Sequence, residues 1–151
     1  EIMHPSGGAW GSRYIDDQFV KLLEEIFSKE WIDEFKSTKP NFFVQLIDSF
    51  QSAKEIFYDN TEQDKYNVRL PFEFIPFIQD KLEEQNNSDD IEDFVVKRSK
   101  SVKIQDEYLV INTTQWKQMF DHVLQPIVEH LVGLLDQPKL MRKCNYLCLV
   151  G

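Results

Sequence analysis

The sequence predicts an α/β fold with a mixed α+β arrangement: helices first, then antiparallel strands, a long helix and a last strand. Three observations predict it. Apolar residues recur at helical spacing over residues 12–57, they alternate with polar residues in mid-chain, and they form a nearly continuous run close to the end. A continuous apolar run of this length is typical of a strand covered on both faces.

Three helices are predicted in the first third of the chain. The first begins at Ser12 or Asp16 and continues to about Ser28, because its apolar residues form one stripe. A shorter helix covers residues 30–35. Pro40 then suits the first turn of a third helix, where its missing N–H costs nothing.

The middle of the chain predicts strands and a loop. Residues 67–75 alternate as in a strand with one buried face, and Pro71 places that strand at a sheet edge. Residues 83–93 predict a mobile acidic loop. The basic residues of segment 97–103 indicate a solvated surface rather than a binding patch. Residues 101–112 predict a hairpin.

A long helix and a buried strand complete the prediction. Asn112 or Thr113 caps the helix, with Gln115 placed to complete a capping box on Asn112, and Pro126 is expected to kink it. Residues 144–150 predict the last strand. The two cysteines both lie there, and we expect buried, reduced thiols.

Composition excludes several function classes. The net charge of −9 argues against nucleic acid and an anionic membrane surface as partners, because both require Lys and Arg. No apolar run approaches the roughly 20 residues of a membrane-spanning helix. The reduced thiols expected for the two cysteines indicate a cytoplasmic protein. The three histidines are too scattered for a metal site, and no catalytic residue set is recognisable.

A glycine-rich turn precedes the first helix. Gly7, Gly8 and Gly11 lie just before it, and a helix N-terminus offers free N–H groups to an anion. By itself this pattern more often indicates only a turn. Lys54, at the edge of an apolar helix face, is likewise typical of a surface lysine whose stem lies along apolar surface.

Four segments in order resemble the ATPase domain of the heat shock protein 70 family. Gly7-Gly8 with Phe19 twelve residues after Gly7 resembles a glycine-pair segment of its second lobe. Residues 50–55 resemble its adenosine-contacting helix, which typically reads Glu-x-x-Lys. The strands and long helix fit the following subdomain, and residues 147–151 resemble the start of a Leu-x-Leu-Val-Gly-Gly adenosine motif. The pattern is similar to the divergent heat shock 70 kDa protein 12 branch.

This resemblance implies an actin-like ATPase (ribonuclease-H-like) fold. Residues 1–151 would be part of lobe II of a longer chain, and residues 59–112 a strand-containing insertion subdomain. Gln51 stands where the family usually has Glu, and Glu55 where chaperone members have a cation that stacks on adenine. The nucleotide-binding residues that the resemblance implies are Gly7, Gly8, Gln51, Lys54, Glu55 and Gly151.

The resemblance also implies a function. The chain would contribute the adenosine side of a cleft for ATP or ADP, with Mg²⁺, in a chaperone-like protein that binds and hydrolyses ATP. The phosphate loops are expected outside residues 1–151, so the chain alone is not expected to be catalytic. Two alternatives stay open: a non-enzymatic module that binds protein partners or co-chaperones, and a degenerate lobe that binds nucleotide without turnover.

Overall fold

A computed structural model of the chain describes residues 8, 11–57 and 64–137. Within these ranges it contains six helices and one three-stranded antiparallel sheet, which confirms the mixed α/β class. The elements are α1 (Arg13–Phe27), α2 (Lys29–Thr38), α3 (Pro40–Glu55), β1 (Lys65–Arg69), α4 (Phe74–Glu84), α5 (Ile91–Arg98), β2 (Val102–Gln105), β3 (Tyr108–Asn112) and α6 (Thr113–Leu135).

The first three helices form as predicted because each presents one apolar side to the core. Ser28 separates α1 from α2 with a positive φ of 74°, and its side chain accepts a hydrogen bond from the N–H of Trp31. Pro40 is in the first turn of α3. Ser12 holds the N-cap position of α1, but its side chain makes no capping hydrogen bond there. The buried residues of α1 besides one aspartate are Ile15, Phe19, Leu22, Leu23, Ile26 and Phe27.

The sheet has the strand order β1-β3-β2. β2 and β3 form the predicted hairpin, in which Asp106 takes a left-handed φ of 53°, as a tight hairpin turn requires. Because side chains alternate along each strand, one face is buried against the helices and the other faces outward. The inner face carries Tyr66, Val68, Val102, Ile104, Leu109 and Ile111, all buried. The outer face carries Lys65, Asn67, Arg69, Lys103, Gln105, Tyr108, Val110 and Asn112.

The predicted strand over residues 67–75 is wrong in its second half. β1 is an edge strand, as predicted, but it ends at Arg69, and Pro71 accepts a hydrogen bond from the N–H of Phe74 in a turn. Phe74 then starts α4. Phe74, Ile78 and Leu82 recur at four-residue intervals and are fully buried, so helical periodicity overrides the short apparent alternation.

The predicted acidic loop over residues 83–93 is also wrong at both ends. α4 continues to Glu84 and α5 begins at Ile91, so only the short connection between them is non-helical. The Asp90 side chain caps α5 by accepting from the N–H of Asp93 at 2.8 Å. The acidic residues thus lie at the positive end of a helix dipole and the basic residues at its negative end, which stabilises the helix.

The long helix α6 begins as predicted. The Asn112 side chain accepts from the N–H of Gln115 at 2.8 Å, and the helix continues through Pro126. Only its first half has buried residues, namely Trp116, Met119 and Val123. Beyond them, an apolar stripe on α6 is about half exposed: Leu124, Val128, Val132 and Leu135.

Aromatic rings join the helices to the sheet. Trp116 of α6 stacks on Tyr66 of β1 at 4.8 Å between ring centroids and lies 5.3 Å from Phe50 of α3. The buried residues of helices and strands form one hydrophobic cluster. The boundary of the subdomain predicted at residues 59–112 stays a prediction.

Among the described helices, none combines the length and apolar character needed to cross a bilayer. The strand predicted at residues 144–150, with both cysteines, lies outside the described residues.

Candidate functional site

The candidate site is the corner where the last turns of α3 pass the first turn of α1. The Lys54 Nζ atom lies 2.5 Å from Oδ1 of Asp16, and the Gln51 amide donates to Oδ2 of the same carboxylate at 2.9 Å. Lys54 Nζ also donates to the carbonyl oxygen of Ser12 at 3.4 Å. We call Asp16, Gln51 and Lys54 the carboxylate cluster.

Ring stacking between the two helices brings the cluster together. Phe19 of α1 and Phe50 of α3 are fully buried and stack with centroids 4.2 Å apart and planes 4° apart. Asp16 lies one turn before Phe19, and Lys54 one turn after Phe50, so each shares a helix face with its ring. The stacked rings therefore fix the separation at which the carboxylate and the ammonium group meet.

Burial makes this ion pair different from the others on the chain. The side chains of Lys54 and Asp16 are only 12% and 11% exposed. Asp16 is the one charged residue in the described ranges that counts as buried overall. Removing two charges from water is costly, and attraction and hydrogen bonds must compensate. The pair leaves the corner with no net charge, although Lys54 also lies 5.9 Å from the centre of the Phe50 ring.

The structure brings together some of the residues that the resemblance implied. Gln51 and Lys54 meet at the start of α1. Gly8 and Glu55 are both exposed. Gly7 and Gly151 lie outside the described residues. Their roles in nucleotide binding stay predictions.

Asp16 is the residue that sequence reasoning missed. The sequence pattern places it only at the start of the first helix. The signal was present, however: Asp16, Phe19, Leu23 and Ile26 follow a helical repeat, so a carboxylate lies in line with an apolar stripe. Lys54, at the edge of the apolar face of α3, is a partner of opposite charge for such a carboxylate.

The described residues contain no candidate metal centre. Within these ranges, no three His, Cys, Asp or Glu side chains lie close enough together to bind a metal ion. The other ion pairs are more exposed, and several join neighbouring turns of one helix. The carboxylate cluster is therefore the best-defined polar arrangement near the predicted site.

Residues 1–144 match a protein family described as "Domain of unknown function (DUF8340)". The chain belongs to this family. This DUF8340 chain is also similar to heat shock 70 kDa protein 12A of Homo sapiens and of Mus musculus, at 28% identity over 155 residues in each case. It is 26% identical over 153 residues to heat shock 70 kDa protein 12B of Homo sapiens. The resemblance to this branch is thereby confirmed.

The match covers the whole of this chain but only part of each relative. It covers 100% of the DUF8340 chain but 22% of each 12A protein and 21% of the 12B protein, in their C-terminal part. The chain therefore spans about a fifth of the length of the curated relatives that it matches. No solved structure matches it.

Proposed function

We propose that the carboxylate cluster forms part of the nucleoside-binding wall of an ATP cleft, in a longer protein with an actin-like ATPase fold. One observation carries the proposal. Lys54 and Gln51, which the resemblance assigns to adenosine contacts, converge on the first turn of α1, where Lys54 reaches the Ser12 carbonyl. The similarity to heat shock 70 kDa proteins 12A and 12B supports an ATPase-like longer protein.

The residues of the cluster fit a neutral, hydroxyl-bearing group. An ammonium group has three N–H donors, and a carboxylate has about four acceptor positions. Lys54 donates to two acceptors and Asp16 accepts from two donors in the structure, so both retain hydrogen-bonding capacity. A bound nucleotide would supply ribose hydroxyls, which both donate and accept.

The same residues do not fit phosphate or Mg²⁺. Asp16 neutralises Lys54, so the corner offers no net positive charge to a phosphate. A metal ion prefers several oxygen ligands, and the described residues gather no such set. We therefore assign the cluster to the nucleoside. The phosphates, Mg²⁺ and hydrolysis are left to parts of a longer protein.

Binding measurements with three ligands test this assignment. Adenosine, AMP and ADP are titrated into the chain at up to about 10 mM while amide resonances are followed by NMR, because the expected affinity is weak. If the cluster holds the nucleoside, the three ligands bind with similar affinity. The double variant Asp16→Leu/Lys54→Met removes both charges together, and we expect it to weaken adenosine binding about tenfold.

Lys36→Met is the matched control. Lys36 is an exposed lysine at the end of α2, 5.4 Å from the centre of the Phe43 ring, so this variant removes a lysine charge beside an aromatic ring, as the Lys54→Met half of the double variant does. We expect its adenosine affinity to match wild type within about twofold. No saturable shift with any of the three ligands would refute the proposed function.

Hydrolysis is a separate question for the longer protein. Two alternatives separate here: a longer protein that hydrolyses ATP, and a degenerate lobe that binds nucleotide without turnover. Phosphate release by a longer protein that contains this chain, compared between wild type and Lys54→Met, separates an ATPase from a degenerate lobe. Binding without phosphate release favours the degenerate lobe.

A further inference from the structure

A second feature, remote in sequence from the carboxylate cluster, is a groove on the outer face of the sheet. It has a volume of about 490 Å³ and lies where β1 begins, β3 ends and the connection from α5 enters β2. We call it the lysine groove. The lining residues that matter here are Asp64, Lys65, Val96, Lys100, Lys103 and Val110.

The groove contains apolar surface where an outward sheet face is usually polar. Val110 is on the outer face, between Asn67 of β1 and Lys103 of β2, yet it is only 5% exposed. The aliphatic stem of a neighbouring lysine is well suited to cover it. Val96, at the end of α5, is 58% exposed. The apolar surface of the groove that is open to solvent is therefore Val96, and Val110 lies buried beneath the groove.

The rim of the groove is basic in an acidic chain. Three lysines and one aspartate line it, whereas the whole chain carries −9. An electrostatic contrast of this kind favours a partner of opposite charge and speeds its encounter with the site.

The basic segment 97–103 divides into two parts. Lys97 pairs with Asp89, and its hydrogen bond to that carboxylate raises the pKa of Lys97 above its ordinary value. Arg98 lies 4.2 Å from the centre of the Phe94 ring and donates to a carbonyl of α1. These two cations serve the fold, while Lys100 and Lys103 line the groove.

We propose that the lysine groove binds an acidic peptide segment of a partner protein. An apolar side chain of that segment contacts the exposed Val96, and carboxylates on either side of it pair with Lys100 and Lys103. A short segment matches the limited size of the basic rim. A long polyanion such as nucleic acid would extend onto the acidic surface beyond the groove and be repelled there.

Fluorescence anisotropy with a labelled peptide tests the proposal. The probe has eight residues, four glutamates around central leucines, and a second probe replaces the leucines with serines. We expect saturable binding of the first probe, and about tenfold weaker binding by Lys100→Glu/Lys103→Glu. Val96→Ser is expected to weaken the leucine probe about fivefold through lost apolar burial and to leave the serine probe unchanged.

The matched control carries the same change in charge elsewhere. Lys21→Glu/Lys36→Glu replaces two exposed lysines of α1 and α2, and we expect its affinity for the leucine probe to stay within about twofold of wild type. Thermal unfolding followed by circular dichroism checks that all variants are folded.

Four outcomes would overturn the proposal. They are no binding of the leucine probe, equal loss in the control and groove variants, equal affinity for the two probes, and binding of phosphatidylserine vesicles without binding of the peptide. Each of these leaves the nucleotide titrations unaffected, so the two proposals can fail separately.

Discussion

Replacing the charges of the carboxylate cluster one at a time and together tests how Asp16 and Lys54 depend on each other. Asp16→Leu leaves an ammonium group that retains only the Ser12 carbonyl as a described acceptor. Lys54→Met leaves a carboxylate that retains only the Gln51 amide as a described donor. The double variant leaves no charge in the corner, and both new side chains are apolar and of similar size to those replaced.

The structure sets the expected magnitude. Breaking a fully buried ion pair by removing one partner costs about 3–5 kcal/mol. The side chains here are 12% and 11% exposed, so the remaining charge can turn partly toward water. We therefore expect each single variant to lose about 2–3 kcal/mol of unfolding free energy. The double variant is expected to lose less than about 1 kcal/mol, because paired charges replaced by apolar groups are often nearly neutral.

Urea unfolding followed by circular dichroism measures all four proteins of this double-mutant cycle. The quantity of interest is the coupling energy, the departure of the double variant from the sum of the two singles. We expect at least about 2 kcal/mol. If the losses simply add, Asp16 and Lys54 act independently, and our account of the buried pair is wrong.

Three other stability predictions follow from contacts elsewhere in the chain. Phe50→Ala, which removes a fully buried ring, is expected to cost about 3–5 kcal/mol in urea unfolding. Asn112→Ala loses the side-chain cap of α6 and is expected to cost about 1 kcal/mol of unfolding free energy. Ser12→Ala, at a cap position without a side-chain hydrogen bond, should change stability by less than about 0.5 kcal/mol. Equal losses in the two variants would contradict this difference between the caps. The hydrogen bond from Lys81 to Glu34 raises the pKa of Lys81 above 10.5, so its stabilisation is present below that pH and is lost as the pH rises through the higher folded-state pKa. The difference in unfolding free energy between wild type and Lys81→Met should therefore narrow as the pH rises above about 10.5, and a constant difference would refute the assignment.

The fold was predictable where one period extended over several turns or where a local cap was present. The stripe of α1, the proline at the start of α3 and the Asn112 cap of α6 all depend on neighbours in sequence. The helix α4 was missed because Phe72 and Phe74 alternate with polar residues, although Phe72 is exposed and Phe74 is buried. Only the packed chain distinguishes these two phenylalanines.

The candidate site shows the same limit more sharply. Lys54 and Gln51 were predicted because they lie three residues apart on one helix, in a recognisable pattern. Asp16 is separated from Lys54 by 38 residues, and no local sequence feature specifies which turns of α1 and α3 pack against each other. That alignment of the two helices depends on the stacking of Phe19 on Phe50, a long-range contact that periodicity does not encode.

The uneven burial of α6 has a consequence for how this helix opens. Its first turns are held by Trp116, Met119 and Val123, whereas Leu124 and Val128 beyond them are 45% and 52% exposed. Pro126 also has no N–H to bond the carbonyl one turn earlier. Local opening should therefore proceed inward from the C-terminal end of α6 and stop near the proline. Amide hydrogens after Pro126 would exchange with solvent by this fraying, whereas those around Trp116 would exchange only when the whole core unfolds.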